Sequence, residues 1–582
     1  MRRTKIVCTI GPASETPEAV AALIEAGMDV ARLNLSHGKS EDHWRRFCTV
    51  SEISQQLDKI IAILVDTRGP EVRIGQLAQE ELFLEDGSTL ILTATPDAGE
   101  PERVPVTYPE LPHELAPGRI ILIDDGLITL RVEAIAGEEI CCRVLQGGLL
   151  KSNKGLNLPG SRICLPVLGE DDRTDLKTAL KLGVHFIAAS FCRDGNDILE
   201  LRRFLEEEHG EAKIIAKIEN DSGLDNFEQI LDLADGIMVA RGDLGVELPT
   251  EEVPLLQKKI IRQCNRAGKP VITATQMLES MIHHSRPTRA EASDVANAII
   301  DGTDAVMLSG ETAVGRFPVE AVQTMSRIAR RTEEALDFNK ILADSEQSVE
   351  KNVTDAISYA TCQAAQELGA AAIITSTESG HTARMVSKYR PRAPIIAVTP
   401  RYGIAAGLQL TWGVIPVLCP PADSTDEMFV TATRASQQAG LIRDGDLVVI
   451  TAGVPVGVPG TTNLLRVETV GEIIVRGTGI GKSAVFGSAA IITEPAELTK
   501  VQKGQIIVTG ATDSSFIPAL EKAAAVVIEE GGLTSHGAIL ALHLGKPAIV
   551  GAERATRLIH SGDLITVDST RGLVYRGKAS VL

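Results

Sequence analysis

Eight short apolar runs, most of them followed by a helical pattern, recur along the first 340 residues and constrain the fold more than any other feature. Alternation of this kind is typical of βα units, and eight parallel strands is the number that closes a (β/α)8 barrel. The sequence therefore predicts an α/β fold built on a TIM barrel. The predicted strands are 5–10, 29–35, 60–66, 185–190, 213–219, 236–240, 270–275 and 304–309.

The remaining residues predict three further domains, because a chain of 582 residues is too long for a single hydrophobic core. Short β-like runs at 120–123 and 127–132 indicate a small β-barrel inserted at 69–166, which divides the catalytic barrel into 1–68 and 167–340. A helical pattern at 353–368 and an apolar run at 371–375 begin a doubly wound α/β domain at 341–471. Residues 472–582 form the fourth predicted unit, a β/α domain.

The composition excludes several classes of protein. A formal charge of −19 and an aromatic content of 3% argue against a nucleic-acid surface. Nine cysteines without CxxC pairs indicate reduced thiols, and we expect a cytoplasmic protein. The sequence has neither a signal-peptide pattern nor an uninterrupted apolar run that predicts a membrane span.

Polar residues at the end of the second predicted strand form the first candidate site. Side chains alternate along a strand, so Arg32, Asn34 and Ser36 are expected on one face. A guanidinium beside two neutral oxygen donors suits an anion together with a monovalent cation. A solvated, polar strand end is the alternative.

The ends of the fifth and sixth strands carry the second candidate site. Lys217 and Glu219 should point the same way, and burying such a pair costs too much in desolvation to be a common structural device, although an ion pair at the rim is the alternative. Gly242 and Asp243 follow the next strand, where barrel active sites lie. Two carboxylates at this rim predict Mg2+ or Mn2+.

More polar groups are predicted at the same rim. Thr275 ends the seventh strand, and Asp66 and Thr67 end the third. Arg73 and Lys154 belong to the insertion, which we expect to close over the rim as a lid. Taken singly, either of these two cations is better explained as a solvated surface charge.

Eight segments of the chain resemble the pyruvate kinase family, in the family's order and with its spacing. They are 4–14 (TKIVCTIGPAS), 28–38 (MDVARLNLSHG), 66–73 (DTRGPEVR), 154–160 (KGLNLPG), 216–220 (AKIEN), 238–245 (MVARGDLG), 274–281 (ATQMLESM) and 286–294 (RPTRAEASD). The resemblance implies transfer of a phosphoryl group from phosphoenolpyruvate to ADP, which is the last step of glycolysis. It also implies Mg2+ (or Mn2+) and K+ as cofactors and a homotetramer as the assembly.

The resemblance also implies roles for individual residues. The residues that would contact phosphoenolpyruvate or the transferred group are Arg32, Lys217, Gly242, Asp243 and Thr275. The residues that would bind the divalent ion are Glu219 and Asp243, and those that would bind K+ are Asn34, Ser36, Asp66 and Thr67. The residues that would contact the nucleotide are His37, Arg73 and Lys154. Arg32, Arg73, Lys217 and Thr275 would be catalytic, with Thr275 and ordered water relaying the proton that enolpyruvate gains at carbon.

Two positions concern the family's variable features. Glu71 matches the members that depend on K+, whereas a lysine there would supply the cation's charge. Arg68 stands where the family usually has lysine, and the positive charge is kept.

Residues 375–382 resemble the family's loop for an allosteric effector. The candidate phosphate ligands are Thr375, Ser376, Thr377, Ser379, Gly380 and Thr382, at a predicted strand-to-helix turn where N–H groups can bind an anion. Glu378 replaces the lysine of some members that sugar bisphosphates activate, so we expect AMP or a sugar monophosphate. An ordinary capped helix start is the alternative.

Residues 531–551 resemble the swivelling phosphohistidine domain of enzymes such as pyruvate phosphate dikinase, with His536 at the phosphorylated position. Leu542 replaces the arginine usual six residues after that histidine, and no ATP-grasp partner domain is recognisable. We therefore expect a structural or regulatory module rather than a phosphocarrier.

Three other functions are alternatives to the kinase. A phosphotransferase acting through His536 would share phosphoenolpyruvate but should need the missing ATP-grasp domain. A catalytically silent effector-binding protein conflicts with the presence of every matched catalytic position. A Mg2+-dependent barrel lyase would use Glu219 and Asp243 but has no need of Lys217 with Arg73 and a lid.

Overall fold

The fold is described from a computed structural model, over residues 1–95, 103–124, 126–160, 165–346, 349–454 and 462–579. The chain divides into two compact units. The first contains Met1–Asp337 and Tyr402–Pro416, and the second contains Phe338–Arg401 and Val417–Leu582. Within the described ranges, no helix has the length and apolar character needed to cross a bilayer.

A closed barrel of eight parallel strands forms the centre of the first unit, which confirms the predicted fold class. Each strand lies within two residues of its predicted bounds. Lys5 of the first strand pairs with Ala305 of the last and closes the barrel. The strands are β1 (Lys5–Thr9), β2 (Val30–Asn34), β3 (Ala62–Asp66), β4 (Phe186–Ala189), β5 (Lys213–Ile218), β6 (Gly236–Ala240), β7 (Val271–Ala274) and β8 (Ala305–Leu308).

Helices surround the barrel and cover its strands. Parallel strands covered on both faces are continuously apolar, and β6 is buried at every position. One apolar core lies between strands and helices, and a second fills the barrel interior. The helices are Pro17–Ala26, Ser40–Gln56, Glu170–Leu182, Gly195–Glu207, Asp221–Asp225, Phe227–Leu233, Arg241–Glu247, Val253–Ala267, Arg289–Asp301, Gly310–Ala313 and Pro318–Glu334, with a 3-10 turn at Glu279–Ile282.

In its described part the insertion contains β-strands and one short helix, Leu111–Glu114, and it has an apolar core of its own. It contains a seven-stranded sheet and a two-stranded ribbon. The run predicted at 120–123 is observed as Ile120–Ile123, and that at 127–132 begins at Ile128 and extends to Ala136. The strands are Val72–Arg73, Glu81–Leu84, Thr89–Thr93, Arg103–Pro105, Ile120–Ile123, Ile128–Ala136, Glu139–Gln146, Gly148–Lys151 and Gly155–Asn157.

The segment Tyr402–Pro416 packs against the amino-terminal end of the barrel strands. Its Ala406 and Leu410 belong to the barrel's interior core. Lys5 Nζ donates to Val414 O at 2.7 Å, and Trp412 N donates to Asp304 Oδ1 at 3.1 Å. The segment therefore covers the end of the barrel opposite to the one that holds active sites.

The second unit contains two sheets. The first includes the parallel strands Ala372–Ser376, Ile395–Thr399 and Leu447–Ala452 and the antiparallel strand Leu464–Thr469. Helices of this part are Phe338–Ser345, Val353–Glu367, His381–Ser387 and Thr425–Gln438. Between the two sections of the unit, the chain forms the helix Tyr402–Gly407 and begins the strand Val414–Leu418, whose last two residues belong to the second section.

The second sheet of this unit has eight strands. They are Ile473–Arg476, Thr478–Ile480, Ala484–Ile492, Ile506–Thr509, Ala525–Ile528, Ala548–Val550, Leu564–Asp568 and Leu573–Arg576. Its helices are Ile517–Lys522, His536–His543 and Ala555–Leu558, with 3-10 turns at Pro495–Lys500 and Ser514–Phe516. The predicted boundaries between the four domains stay predictions.

Candidate active site

A cleft of about 1400 Å³ opens at the carboxyl ends of the barrel strands, in the first unit. Arg32, Lys217 and Glu219 line it from the barrel, and Arg73 and Lys154 line it from the insertion. Polar side chains from separate parts of the sequence therefore converge on one concave surface, which is the usual form of a small-molecule site.

Asp66 is the centre of the charged network at the base of this cleft. Its side chain is fully buried at the end of β3. Arg32 Nε donates to Oδ2 at 2.7 Å, and Lys217 Nζ donates to Oδ1 at 3.0 Å. Burial alone would raise the pKa of Asp66, but the two cations outweigh it and lower that pKa. The carboxylate thus stays ionised and holds both cations in place.

Lys217 is held by three oxygen atoms. Besides Asp66, its Nζ lies 3.0 Å from Glu219 Oε1 and 2.8 Å from Ser190 Oγ. Burial disfavours the ammonium, but Asp66 and Glu219 more than compensate and raise the pKa of Lys217. The structure therefore presents a permanent, positioned positive charge to the cleft, and Glu219 lies beside it as strand alternation predicts.

Glu219 carries the charge that a divalent cation would balance. It is 2% exposed, and Phe191 N donates to its Oε2 at 2.5 Å. Burial, with the nearby carboxylates of Asp243 and Asp66, raises the pKa of Glu219 in spite of Lys217. Repulsion among three carboxylates is what a bound cation would relieve, so these residues fit a divalent ion.

Across the ranges that the structure describes, no group of three or more His, Cys, Asp and Glu side chains is arranged to hold an ion. Glu219 and Asp243 would share a divalent ion with substrate oxygens and water, as is common for Mg2+ at phosphate sites.

The predicted K+ ligands lie at the ends of two adjacent strands. Asn34 and Asp66 are paired in register, and Leu35 N donates to Asp66 O at 3.0 Å. Ser36 does not continue the strand face as predicted, because β2 ends at Asn34 and Ser36 lies in a turn, where its N–H donates to Asn34 Oδ1 at 3.1 Å. The turn nevertheless places Ser36 on the cleft wall with Asn34.

Thr67 completes this group of predicted ligands. It is almost fully buried, and its backbone oxygen accepts from Ser190 Oγ at 2.7 Å. Its own Oγ1 accepts from Ser190 N at 3.1 Å. Neutral oxygens with one carboxylate form a donor set that fits a large monovalent cation.

The predicted ligands after β6 and β7 are in direct contact. Gly242 N donates to Thr275 Oγ1 at 2.8 Å, and the same hydroxyl donates to Ala274 O at 2.7 Å. Asp243 lies in the same helix as Gly242, in its first turn, and lines the cleft. The structure therefore brings these three residues to the rim that holds Lys217.

The three residues predicted to contact a nucleotide all line the cleft. Arg73 Nη2 pairs with Glu71 Oε2 at 2.6 Å, and Lys154 Nζ pairs with Asp124 Oδ1 at 2.8 Å. His37 is exposed at the barrel side. The positively charged side chains of the insertion therefore face the cleft, as expected if the insertion closes over it as a lid.

Ser190, Phe191 and Arg241 contact the predicted site residues but were not predicted. Ser190 ends the fourth predicted strand, and a hydroxyl at the carboxyl end of a barrel strand is a signal that sequence reasoning can use. Phe191 contributes only its backbone N–H, which no side-chain pattern reveals.

The predicted effector loop lies in the second unit. Thr375 is fully buried, and its hydroxyl donates to Ile396 O at 3.5 Å. Thr377 Oγ1 accepts from Gly380 N at 2.9 Å, and Gly380 has a φ of 76° just before the helix His381–Ser387. Thr382 is buried, with Oγ1 2.9 Å from Thr462 Oγ1. Ser376 and Ser379 are the half-buried hydroxyl residues of the loop.

His536 begins the helix His536–His543 and is exposed. Its Nδ1 lies 3.3 Å from Thr512 Oγ1. Leu542, on the same helix, is 71% exposed where a phosphocarrier would have arginine.

Comparison with known proteins agrees with this geometry. Residues 1–322 match the family description "Pyruvate kinase, barrel domain", 355–468 match "Pyruvate kinase, alpha/beta domain", and 501–572 match "PEP-utilising enzyme, mobile domain". A pyruvate kinase of Geobacillus stearothermophilus is 52% identical over 585 residues, and one of Staphylococcus aureus (strain MRSA252) is 48% identical over 585, with 100% of both chains covered in each case.

A solved structure agrees as well. The crystal structure of a pyruvate kinase from Cryptosporidium parvum superimposes with a TM-score of 0.76 at 40% sequence identity, covering 80% of this chain and 96% of that one. Full-length identity near one half, a barrel match over more than half of the chain, and the converging polar cleft lead to one conclusion: the chain belongs to the pyruvate kinase family.

Proposed function

We propose that this protein transfers the phosphoryl group of phosphoenolpyruvate to ADP and releases pyruvate and ATP. The observation that carries the proposal is the buried network in which Asp66 holds Arg32 and Lys217 at the base of the cleft, with Glu219 beside Lys217. Phosphoryl transfer requires mainly that the protein positions the two substrates and places positive charge next to the equatorial oxygens of the transferred group. This network provides both.

The roles of the barrel residues follow from their positions. Arg32 and Lys217 bind the phosphoryl oxygens. Because Asp66 holds both side chains in place, they need little rearrangement when negative charge develops on those oxygens in the transition state. Gly242 N–H and the Thr275 hydroxyl hold the substrate's carboxylate, which orients the phosphoryl group toward ADP with the bridging oxygen on the far side of phosphorus, as in-line transfer requires. Thr275 remains our candidate relay for the proton that enolpyruvate gains at carbon.

The cations complete the charge balance. Glu219 and Asp243 would hold Mg2+ or Mn2+, which supplies positive charge to the phosphoryl oxygens when bound. Asn34, Ser36, Asp66 and Thr67 would hold K+. Lid residues Arg73 and Lys154 then bind the nucleotide phosphates and help to exclude water from the cleft.

The reaction is tested by the stoichiometry of its products. We expect equal amounts of ATP and pyruvate from phosphoenolpyruvate and ADP, measured in parallel by two coupled assays. Chelation of divalent ions should abolish both products, and replacing K+ by a tetraalkylammonium ion should lower both, because the carboxylates and neutral oxygens at the two sites would lose their cations. Pyruvate without ATP would contradict a kinase.

We also propose that a phosphorylated effector, AMP or a sugar monophosphate, binds at the loop 375–382. Ser376 and Ser379 and the N–H groups near Gly380 support this, whereas the buried Thr375 side chain would act only by supporting the loop. Titration calorimetry with AMP, a sugar monophosphate and inorganic phosphate tests it. We expect one of the organic phosphates to bind and to lower the KM for phosphoenolpyruvate, and an absence of binding by all three contradicts the proposal.

The assembly, the cellular location and the role of the tail domain are also proposals. We propose a cytoplasmic homotetramer in which the tail domain with His536 is structural or regulatory. Eight of the cysteines lie in the described part of the chain, and all eight are free thiols, which supports a reducing compartment. Light scattering at micromolar protein concentration measures the assembly, and a monomer would contradict it.

A further inference from the structure

Two consecutive residues after β7 adopt a backbone conformation that their side chains disfavour. Thr275 has a φ of 65° and Gln276 a φ of 52°. The left-handed region is unfavourable for a residue other than glycine, and most of all for a β-branched one such as threonine. Strain of this kind persists only where the surrounding structure imposes it, and it is concentrated at functional sites.

Arg241, the first residue of the helix that follows the neighbouring strand β6, holds the turn in this conformation. Its Nη2 donates to Thr275 O at 2.7 Å, and its Nε donates to Ala274 O at 3.3 Å. Its Nη1 donates to Asp294 Oδ2 at 2.5 Å. The Arg241 side chain is only 12% exposed, so these bonds are largely shielded from water. One guanidinium therefore holds two successive carbonyls in the turn and is itself anchored by a carboxylate.

Glu311 holds the same turn from the other side. It follows β8, is 1% exposed, and accepts from Leu278 N at 3.0 Å and from Ser309 N at 2.8 Å. The loop after β7 is thus fixed by residues that follow the strands on either side of it, β6 and β8.

We propose that Arg241 is a positioning residue, whose guanidinium keeps Thr275 and Gln276 left-handed so that the Thr275 hydroxyl stays at Gly242 N–H where phosphoenolpyruvate binds. The inference rests on the proposed function. Arg241 itself is bonded to carbonyls of the turn and to Asp294 and acts on the substrate only through Thr275. Lysine cannot replace it, because a single ammonium lacks the planar fork that reaches both carbonyls and the carboxylate.

A double-mutant cycle tests this role. Arg241→Lys should raise the KM for phosphoenolpyruvate and lower kcat, each by about tenfold. Gln276→Gly removes an exposed side chain and most of the strain at that position, so by itself it should leave turnover within about twofold of wild type. Because the glycine makes the left-handed turn easier, Gln276→Gly in the Arg241→Lys background should recover at least about threefold in kcat/KM.

Arg202→Lys is the matched control. Arg202 also donates to a backbone carbonyl, Leu233 O at 2.9 Å, and to a carboxylate, Asp235 Oδ2 at 2.8 Å, but it makes no contact with the turn after β7. We expect its KM and kcat to match those of wild type. If Arg241→Lys does not fold, Asp294→Asn takes its place in the cycle, because this substitution removes the carboxylate that anchors the Arg241 guanidinium.

The outcomes are distinct. Recovery by Gln276→Gly supports the positioning role. Kinetics of Arg241→Lys equal to those of Arg202→Lys, or a loss that Gln276→Gly leaves unchanged, would overturn it. Failure of the wild-type protein to make ATP from phosphoenolpyruvate and ADP would instead contradict the proposed function on which the inference rests.

Discussion

Replacing Lys217 by Met is expected to lower kcat for ATP formation from phosphoenolpyruvate by at least about 10³-fold. The ammonium lies 3.0 Å from both Asp66 and Glu219, and it is the positive charge that phosphoryl oxygens would meet at the base of the cleft. Methionine has a similar length and no charge, so it removes the electrostatic interaction while filling most of the space. Steady-state kinetics with saturating ADP and Mg2+ measure the effect.

The same substitution should also lower stability, because two buried carboxylates lose a partner. Breaking a buried pair in this way typically costs about 3–5 kcal/mol, so activity must be compared per folded molecule, with circular dichroism as the measure of folding. Lys177→Met is the matched control, since Lys177 pairs with Glu208 at 2.9 Å but is 51% exposed. The control should retain full activity. Folded Lys217→Met with more than about a tenth of wild-type kcat would refute this role for Lys217.

Replacing Asp66 by Asn is expected to lower kcat/KM by about 10²-fold or more and to weaken activation by K+. The fully buried carboxylate accepts from Arg32, Lys217 and Ser190, and asparagine keeps the shape but loses the charge that holds the two cations. Arg32 and Lys217 then repel each other, and only Glu219 remains to offset the charge of Lys217. We expect the half-saturating K+ concentration to rise by about tenfold, measured by titrating K+ at constant ionic strength.

The control for this change is Asp235→Asn. Asp235 also accepts from an arginine, Arg202, and from a backbone N–H, that of Ile214, but it lies at the opposite end of β5 and is partly exposed. Its K+ dependence should equal that of wild type. An unchanged K+ dependence in Asp66→Asn would show that the carboxylate does not contribute to the monovalent site.

The barrel was predictable from sequence because its strands are buried on both faces and appear as continuous apolar runs. The pairing of Lys217 with Glu219 was predictable for a related reason, since β5 remains extended to Ile218 and alternation therefore holds up to its end. Alternation failed at Ser36, where β2 has already ended at Asn34. Local periodicity is thus informative only as far as the element that produces it extends.

Contacts between residues on different strands could not be predicted from local sequence patterns. Ser190 is 124 residues from Asp66 in sequence, and it reaches Asp66 only because β3 and β4 are neighbours on either side of a long insertion. The left-handed turn at Thr275 was equally hidden, because neither threonine nor glutamine indicates that conformation and the bonds that impose it come from Arg241. Tertiary contacts override the local preference here.

The position of Tyr402–Pro416 depends on the same kind of contact. In the structure this segment packs with the barrel, and the predicted bounds of the third domain, 341–471, stay a prediction. Its apolar side chains are compatible with either environment, and the bonds from Lys5 and to Asp304 involve partners that are distant in sequence.

Transfer of label from [32P]phosphoenolpyruvate is the most direct test of whether the barrel cleft delivers the phosphoryl group straight to ADP. Wild type and His536→Ala should convert the label into ATP at the same rate, and no label should remain on the protein when ADP is omitted. Label on the wild-type protein in the absence of ADP, together with loss of ATP formation in His536→Ala, would contradict the account and place the chemistry on the tail histidine.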